Sequence, residues 1–275
     1  MMGVRLTDAV KHLLIINVLM FIGTMAIQNG LLFNEYFALY YPKNDLFRPW
    51  QILTHMFMHG GLTHILFNMF ALWMFGTAVE QVFGTKKFVT FYLLAGFGAV
   101  ALSFAVYYFQ AMPLVNEIAG TGYPEELIHK IINLDISDGS YLKGEILERK
   151  MIPLITEAGL EVSKISNEQF AALFELNALT RTRMVGASGA IFGIFVAFGM
   201  LYPNAKLMLI FLPIPIKAKY FIPAIVGLDI ISAFTGQSFF SPSNTAYAAH
   251  IGGALTGFLM MYFWKKNQYD KFRWN

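Results

Sequence analysis

The chain has 275 residues, 56% of them hydrophobic and 13% charged, with 27 Phe, 15 Met and a formal net charge of +3; its mean hydropathy is +0.53. A soluble domain carries about 25% charge, so most of this chain is solvated by lipid, and a net +3 is too small to argue for nucleic acid. The absence of cysteine excludes disulfides and thiolate metal sites.

A membrane span needs about 20 predominantly apolar residues, fewer where neighbouring protein covers its ends. Six are predicted, at 10–29, 62–82, 87–111, 187–202, 219–236 and 245–264. The first apolar run, about 13–27, lacks a small-residue cleavage site and reads as a span rather than a signal peptide. Residues 30–60 are rich in aromatics and Pro, with turn residues at Tyr41-Pro42-Lys43-Asn44-Asp45, and are expected to dip partly into the membrane. The tract 112–185 is the only polar one, with 11 acidic and 7 basic residues. It is predicted to be helical. Pro124-Glu125-Glu126-Leu127 starts one helix, and Ser166-Asn167-Glu168-Gln169 is a capping box ahead of Phe170, Leu173, Phe174 and Leu176. A small solvated insert or a set of interfacial helices is expected here; a substrate-recruiting lid is the alternative. The apolar stretch 207–216 is split by Pro213 and Pro215 and is expected to be a loop or a membrane-surface segment.

Lys and Arg in the short connections set orientation. Arg5 and Lys11 precede span 1; Lys86 and Lys87 lie between spans 2 and 3; Lys206, Lys217 and Lys219 between spans 4 and 5; Lys265, Lys266, Lys271 and Arg273 follow span 6. All four groups fall on one side if both termini are cytoplasmic. An odd number of spans would scatter them. The insert then faces outward.

Polar side chains inside spans mark candidate sites, because they are expensive in hydrocarbon. Ser188, in Gly186-Ala187-Ser188-Gly189, opens span 4, and His250, in Ala248-Ala249-His250-Ile251-Gly252-Gly253, lies in span 6. A hydroxyl to attack and an imidazole to take its proton are what a serine hydrolase needs. At a helix N-terminus the Ser188 N–H is free to meet an oxyanion. The competing reading is packing, since small residues are common where spans cross and a buried histidine can bond a backbone carbonyl. Glycine spacing favours the pairing: Gly189 and Gly193 form a small face on span 4, as do Gly253 and Gly257 on span 6. A close crossing of the two brings hydroxyl and imidazole within reach, with Phe192 one turn below Ser188 to pack on the ring. On span 2, His64 and Asn68 are spaced i, i+4 on one face. Both donate hydrogen bonds, which suits an oxyanion hole; polar glue between helices is the alternative. His59, just outside that helix, is expected to orient the outer loop.

These three motifs, in this order on these spans, resemble the rhomboid intramembrane serine proteases; Glu80 and Gly84 at the end of span 2 also fit the family pattern. The resemblance covers the six-span core, with most of 112–185 outside it. It implies an all-α membrane protein, a six-transmembrane-helix bundle forming one membrane domain over 1–275, with an extracytoplasmic helical insert between helices 3 and 4. It implies Ser188 as nucleophile, His250 as general base, and His64, Asn68 and the Ser188 N–H as oxyanion donors, supported by His59, Gly186, Gly189, Phe192 and Gly253. Substrates would be transmembrane proteins, cleaved near the outer face from a water-filled cavity. The partners are those substrates and membrane lipid, and the location a bacterial cytoplasmic (inner) membrane. The chain departs from the family in three places. Many rhomboids carry Trp-Arg in the first outer loop where this chain has Trp50-Gln51, Phe192 replaces the Tyr of some members, and the insert is long.

Other chemistries fit less well. His55, His59 and His64 lack the spacing of a zinc-protease motif, and neither metal nor cofactor is expected. Asp229, the only acid within spans 4–6, has no second acid for an aspartyl protease and no motif tying it to His250; a structural hydrogen-bonding role is expected. A rhomboid-like non-proteolytic binder of transmembrane helices typically loses the serine or the histidine, and this chain keeps both. A transporter needs charged residues along its spans, which are nearly absent here.

Overall fold

The computed structural model describes residues 6–27, 30–139, 141–209, 212–235 and 245–268. Arg5, Lys271 and Arg273, used above for orientation, lie outside them. In chain order the helices are α1 (Asp8–Ala26), α2 (Leu31–Phe37), α3 (Gln51–Thr54), α4 (Leu62–Ala71), α5 (Thr77–Phe83), α6 (Thr85–Ala119), α7 (Glu125–Ile132), α8 (Gly144–Glu157), α9 (Asn167–Arg181), α10 (Ser188–Leu201), α11 (Ala218–Thr235) and α12 (Thr245–Gln268). A π turn over Leu72–Gly76 joins α4 to α5. Each of the six expected spans coincides with one of these helical stretches. Among the described residues, four are long and apolar enough to cross a membrane: Asp8–Ala26, Leu62–Phe83, Thr85–Ala119 and Ala218–Thr235. α10 is apolar but has 14 residues, about 21 Å at 1.5 Å per residue.

The chain forms two compact units. The first comprises Met1–Ala38, Trp50–Ser103 and Met184–Asn275. Lipid offers apolar side chains no less favourable a home than protein does, so association rests on close packing of small residues. A Cβ at Gly253 would overlap the Gly189 carbonyl oxygen, and one at Gly257 would lie 2.7 Å from the Gly193 Cα. Gly189 therefore faces Gly253 and Gly193 faces Gly257, so α10 and α12 run parallel. On its other side α10 meets α6 in the opposite sense. A Cβ at Gly189 would lie 2.5 Å from the Ala99 Cβ, and one at Gly193 2.6 Å from the Ala95 Cβ. α12 also touches α6, where Gly252 approaches the Gly98 carbonyl and Gly98 the side chain of Thr256. Around this crossing lies a buried cluster including Leu72, Phe75, Phe88, Phe91, Ile191 and Ile194.

Two polar anchors stiffen the unit. The buried Glu80 carboxylate accepts from the Ala9 and Val10 N–H groups, both at 2.9 Å, and from the Thr85 hydroxyl at 2.8 Å. It thus satisfies orphan donors at the start of α1. Trp50 Nε1, Gln51 Nε2 and Thr54 Oγ1 donate to the carbonyls of Tyr36, Glu35 and Phe37 at 2.8, 2.9 and 2.9 Å. This is how a Trp-Gln pair anchors the first loop: it caps the C-terminal carbonyls of α2. Leu31, Leu32 and Tyr36 of α2 remain exposed. The stretch 207–216, expected to be a loop or surface segment, is instead largely an antiparallel hairpin of Lys206–Leu209 and Leu212–Lys217. Both prolines sit in one strand of this two-stranded pair, which has no third strand among the described residues, and an edge strand tolerates a missing N–H.

The second unit comprises Leu39–Pro49 and Phe104–Arg183. It has its own core of Tyr107, Ile118, Leu127, Ile131, Leu147, Ile155, Leu173 and Leu176, among others. α9 starts as predicted, with Ser166 Oγ accepting from the Gln169 N–H and Gln169 Oε1 accepting from the Ser166 N–H. α7 begins after Pro124 as predicted. α6 runs eight residues beyond the expected end of span 3, to Ala119. Ala111, Leu114 and Ile118 pack into this core, so tertiary contact extends the helix past its lipid-matched length. Within the unit the Tyr41 ring stacks on Tyr107 at 4.0 Å, and Asn44 Nδ2 donates to the Thr180 carbonyl at 3.0 Å.

Candidate active site

Gly186 shapes the entry to α10. Its φ of +126° lies in the region that favours glycine, and its N–H donates to the His55 carbonyl at 2.9 Å. The chain then turns at Ala187 and starts the helix at Ser188. The Ser188 N–H is in the first turn, where no intrahelical acceptor exists.

Ser188 Oγ lies 2.9 Å from His250 Nε2. The parallel crossing of α10 and α12 puts them there, with Gly189 against Gly253 one residue and three residues along. Phe192 stacks face to face on the His250 ring, with centroids 4.1 Å apart and planes inclined by 7°. The ring is therefore held in both position and tilt. His250 is 6% exposed and Ser188 is half-buried, so the hydroxyl is the accessible end of the pair.

The other imidazole nitrogen was not matched to a partner by sequence reasoning. His250 Nδ1 lies 2.8 Å from Asp229 Oδ2, on α11, and Asp229 is 1% exposed. Asp229 is a hydrogen-bonding group, as expected, and the partner that the sequence did not tie to it is His250. The signal was a lone acid in an apolar span. Nothing in the residues sets the rotation of α11 against α12, so the partner was not legible. A carboxylate at Nδ1 favours the tautomer with its hydrogen on Nδ1, which leaves Nε2 to accept from the Ser188 hydroxyl.

His64 is half-buried at the start of α4. Its Nδ1 accepts from the Gly60 N–H at 3.4 Å, a long bond that leaves the neutral ring's hydrogen on Nε2. A Cβ at Gly186 would lie 3.0 Å from His64 Nε2 and 3.7 Å from Ser188 Oγ, so glycine keeps open the space the two groups share. Asn68 is buried one turn deeper, and its Nδ2 donates to the His64 carbonyl at 3.0 Å. One amide hydrogen is committed to the helix and the second remains. His59 packs edge-on against His64, centroids 5.0 Å apart. Burial, with His64 alongside, pushes its pKa down to about 3, so it is a neutral spacer in the loop before α4. Among the described residues no group of His, Asp and Glu is arranged to hold a metal ion.

The family model described as Rhomboid domain matches residues 46–115 and 147–267. The match resumes within α8, so more of 112–185 belongs to the matched region than the sequence suggested. Rhomboid protease GluP of Bacillus subtilis is 44% identical over 55 residues, 20% of this chain and 11% of that protein. An uncharacterized mitochondrial rhomboid protein of Schizosaccharomyces pombe is 26% identical over 231 residues, 80% of this chain and 52% of that protein. The mitochondrial presenilin-associated rhomboid-like protein of Homo sapiens is 25% identical over 207 residues, 75% of this chain and 35% of that protein. The chain thus spans about half or less of the length of these relatives.

Proposed function

The chain belongs to the rhomboid family, and from that premise we propose that it is an intramembrane serine endopeptidase whose catalytic pair is Ser188 and His250. The observation that carries this reading is the 2.9 Å contact between Ser188 Oγ and His250 Nε2 at a helix N-terminus. As the Ser188 oxygen attacks the scissile carbonyl carbon, its proton passes to His250 Nε2. A C–O bond forms and the carbonyl π electrons move onto oxygen. That oxyanion is met by the Ser188 N–H, His64 Nε2–H and the free Asn68 amide hydrogen. Collapse expels the amine, which takes the proton back from Nε2, and leaves an acyl-enzyme. Water then attacks the acyl carbon as His250 Nε2 takes its proton; the C–Oγ bond breaks, Ser188 Oγ takes that proton back, and the new carboxylic acid leaves and ionises. The donors act on charge that exists only in the transition state, where one is worth about 3 kcal/mol.

The substrates of this reading are transmembrane proteins cut near the outer membrane face. It has six crossings with both termini cytoplasmic, a single membrane domain over 1–275 and the 112–185 insert outside. Helix direction supports the parity. α10 and α12 are parallel, so the chain between them must return across the membrane, and α11 is long and apolar enough to do so. α6 is antiparallel to α10. The Lys groups at 86–87 and at 206, 217 and 219 then fall on one side. A bacterial cytoplasmic membrane is proposed, with GluP as a bacterial relative. Ser188→Ala protein, purified in detergent, is expected to fold but to leave a single-span model substrate uncut. A fluorophosphonate probe is expected to label Ser188 only when His250 is present. Normal cleavage by Ser188→Ala would remove the nucleophile from the scheme.

A further inference from the structure

We infer that Asp229 is a positioning residue that makes the Ser188–His250 pair a three-member relay, with the acid supplied by α11. This rests on the serine-hydrolase reading above and goes beyond it, because a pair alone accounts for nucleophile and base. Three observations carry it. Asp229 Oδ2 sits 2.8 Å from His250 Nδ1, on the side of the ring opposite Ser188. Both partners are almost fully buried, at 1% for Asp229 and 6% for His250, so water does not compete for the bond. The other carboxylate oxygen, Oδ1, is buried with no hydrogen-bond partner among the described residues, which leaves the imidazole as the group that the acid serves there.

A carboxylate here does two things. It fixes the hydrogen on Nδ1, so that Nε2 accepts from the serine at every turnover. It also stabilises the imidazolium that forms when Nε2 takes the serine proton. In the ground state the buried carboxylate is poorly compensated. In the transition state it faces a full positive charge, so the interaction is stronger where it accelerates the reaction. Phe192 holds the ring plane from one face but cannot select between tautomers.

The test compares Asp229→Asn and Asp229→Glu with the wild type and with Ser188→Ala, using cleavage of a single-span substrate and fluorophosphonate labelling across pH. Asp229→Asn is expected to lower kcat about 10²- to 10⁴-fold with KM little changed. The acid limb of its pH profile should move to lower pH, since an imidazolium without its carboxylate is less stable. Asp229→Glu should recover part of the rate. Folded Asp229→Asn protein with wild-type kcat would overturn the inference, and so would a uniform loss with an unmoved pH profile and no rescue by Glu. A direct measurement needs no variant: ¹⁵N spectra of imidazole-labelled wild type should place the neutral ring's hydrogen on Nδ1 of His250. Hydrogen on Nε2 would overturn the inference even if the variants fail to fold. Retained cleavage by Ser188→Ala would strike the serine-hydrolase reading instead.

Discussion

His64 and Asn68 share a helix face but are not equivalent donors. The ring of His64 has one nitrogen occupied by the Gly60 N–H, which turns the other, with its hydrogen, toward the space beside Gly186 and Ser188. Asn68 spends one of its two amide hydrogens on the His64 carbonyl. Both substitutions to Ala are therefore expected to lower kcat with KM nearly constant, His64→Ala by about 10²- to 10³-fold and Asn68→Ala by less. Steady-state kinetics on a single-span substrate decide it. Full turnover in both variants would rule out their role at the oxyanion. At this scale most of the arrangement was legible in the residues. Ser188, His250 and Phe192 meet as spacing along two glycine-faced spans anticipated. Asp229 was visible as an anomaly but not as a partner, because an i, i+4 rule relates residues on one helix and says nothing about two.

Helix contacts decide whether those residues meet at all. The α10–α12 crossing has bare backbone on both sides, and a Cβ at Gly253 would overlap the Gly189 carbonyl oxygen. Neither atom belongs to a flexible side chain, so the helices must separate. Gly253→Ala is expected to destabilise the protein by about 1–3 kcal/mol and to cut fluorophosphonate labelling of Ser188, because His250 moves with α12. Gly227, on α11, is the control: a Cβ there meets nothing within 4 Å, and Gly227→Ala is expected to be neutral or slightly stabilising. Thermal unfolding in detergent alongside labelling measures both; equal behaviour of the two variants would sink the account. Six helices were readable because a long apolar run has few alternatives in lipid. The end of α6 was not, since Leu114 and Ile118 continue it by packing on residues distant in sequence. Nor was the Lys206–Lys217 hairpin, whose prolines argue against a strand unless both of its strands are edges.

The molecule has two cores made of different residues. Leu72, Phe75, Phe88 and Ile191 belong to one cluster, and Leu127, Ile131, Leu147 and Leu173 to the other. The tract 112–185 was read as a small solvated insert or as interfacial helices. It has a packed interior of its own, with buried Asn177 bonding the Ile131 and Leu134 carbonyls from inside. Leu147 is fully buried at 0% exposure, and Leu147→Ala should cost that core about 2–5 kcal/mol through lost burial and a cavity. None of the residues of that cluster belongs to the site. The expected outcome is local: faster hydrogen exchange over α7, α8 and α9, with the rate of fluorophosphonate labelling at Ser188 unchanged in detergent. Labelling that falls in step with the exchange would mean that the insert folds as one cooperative body with the site. Preserved labelling with slower cleavage of a transmembrane substrate would assign the insert to substrate handling, because the probe needs only the hydroxyl and its base while the substrate must also reach them.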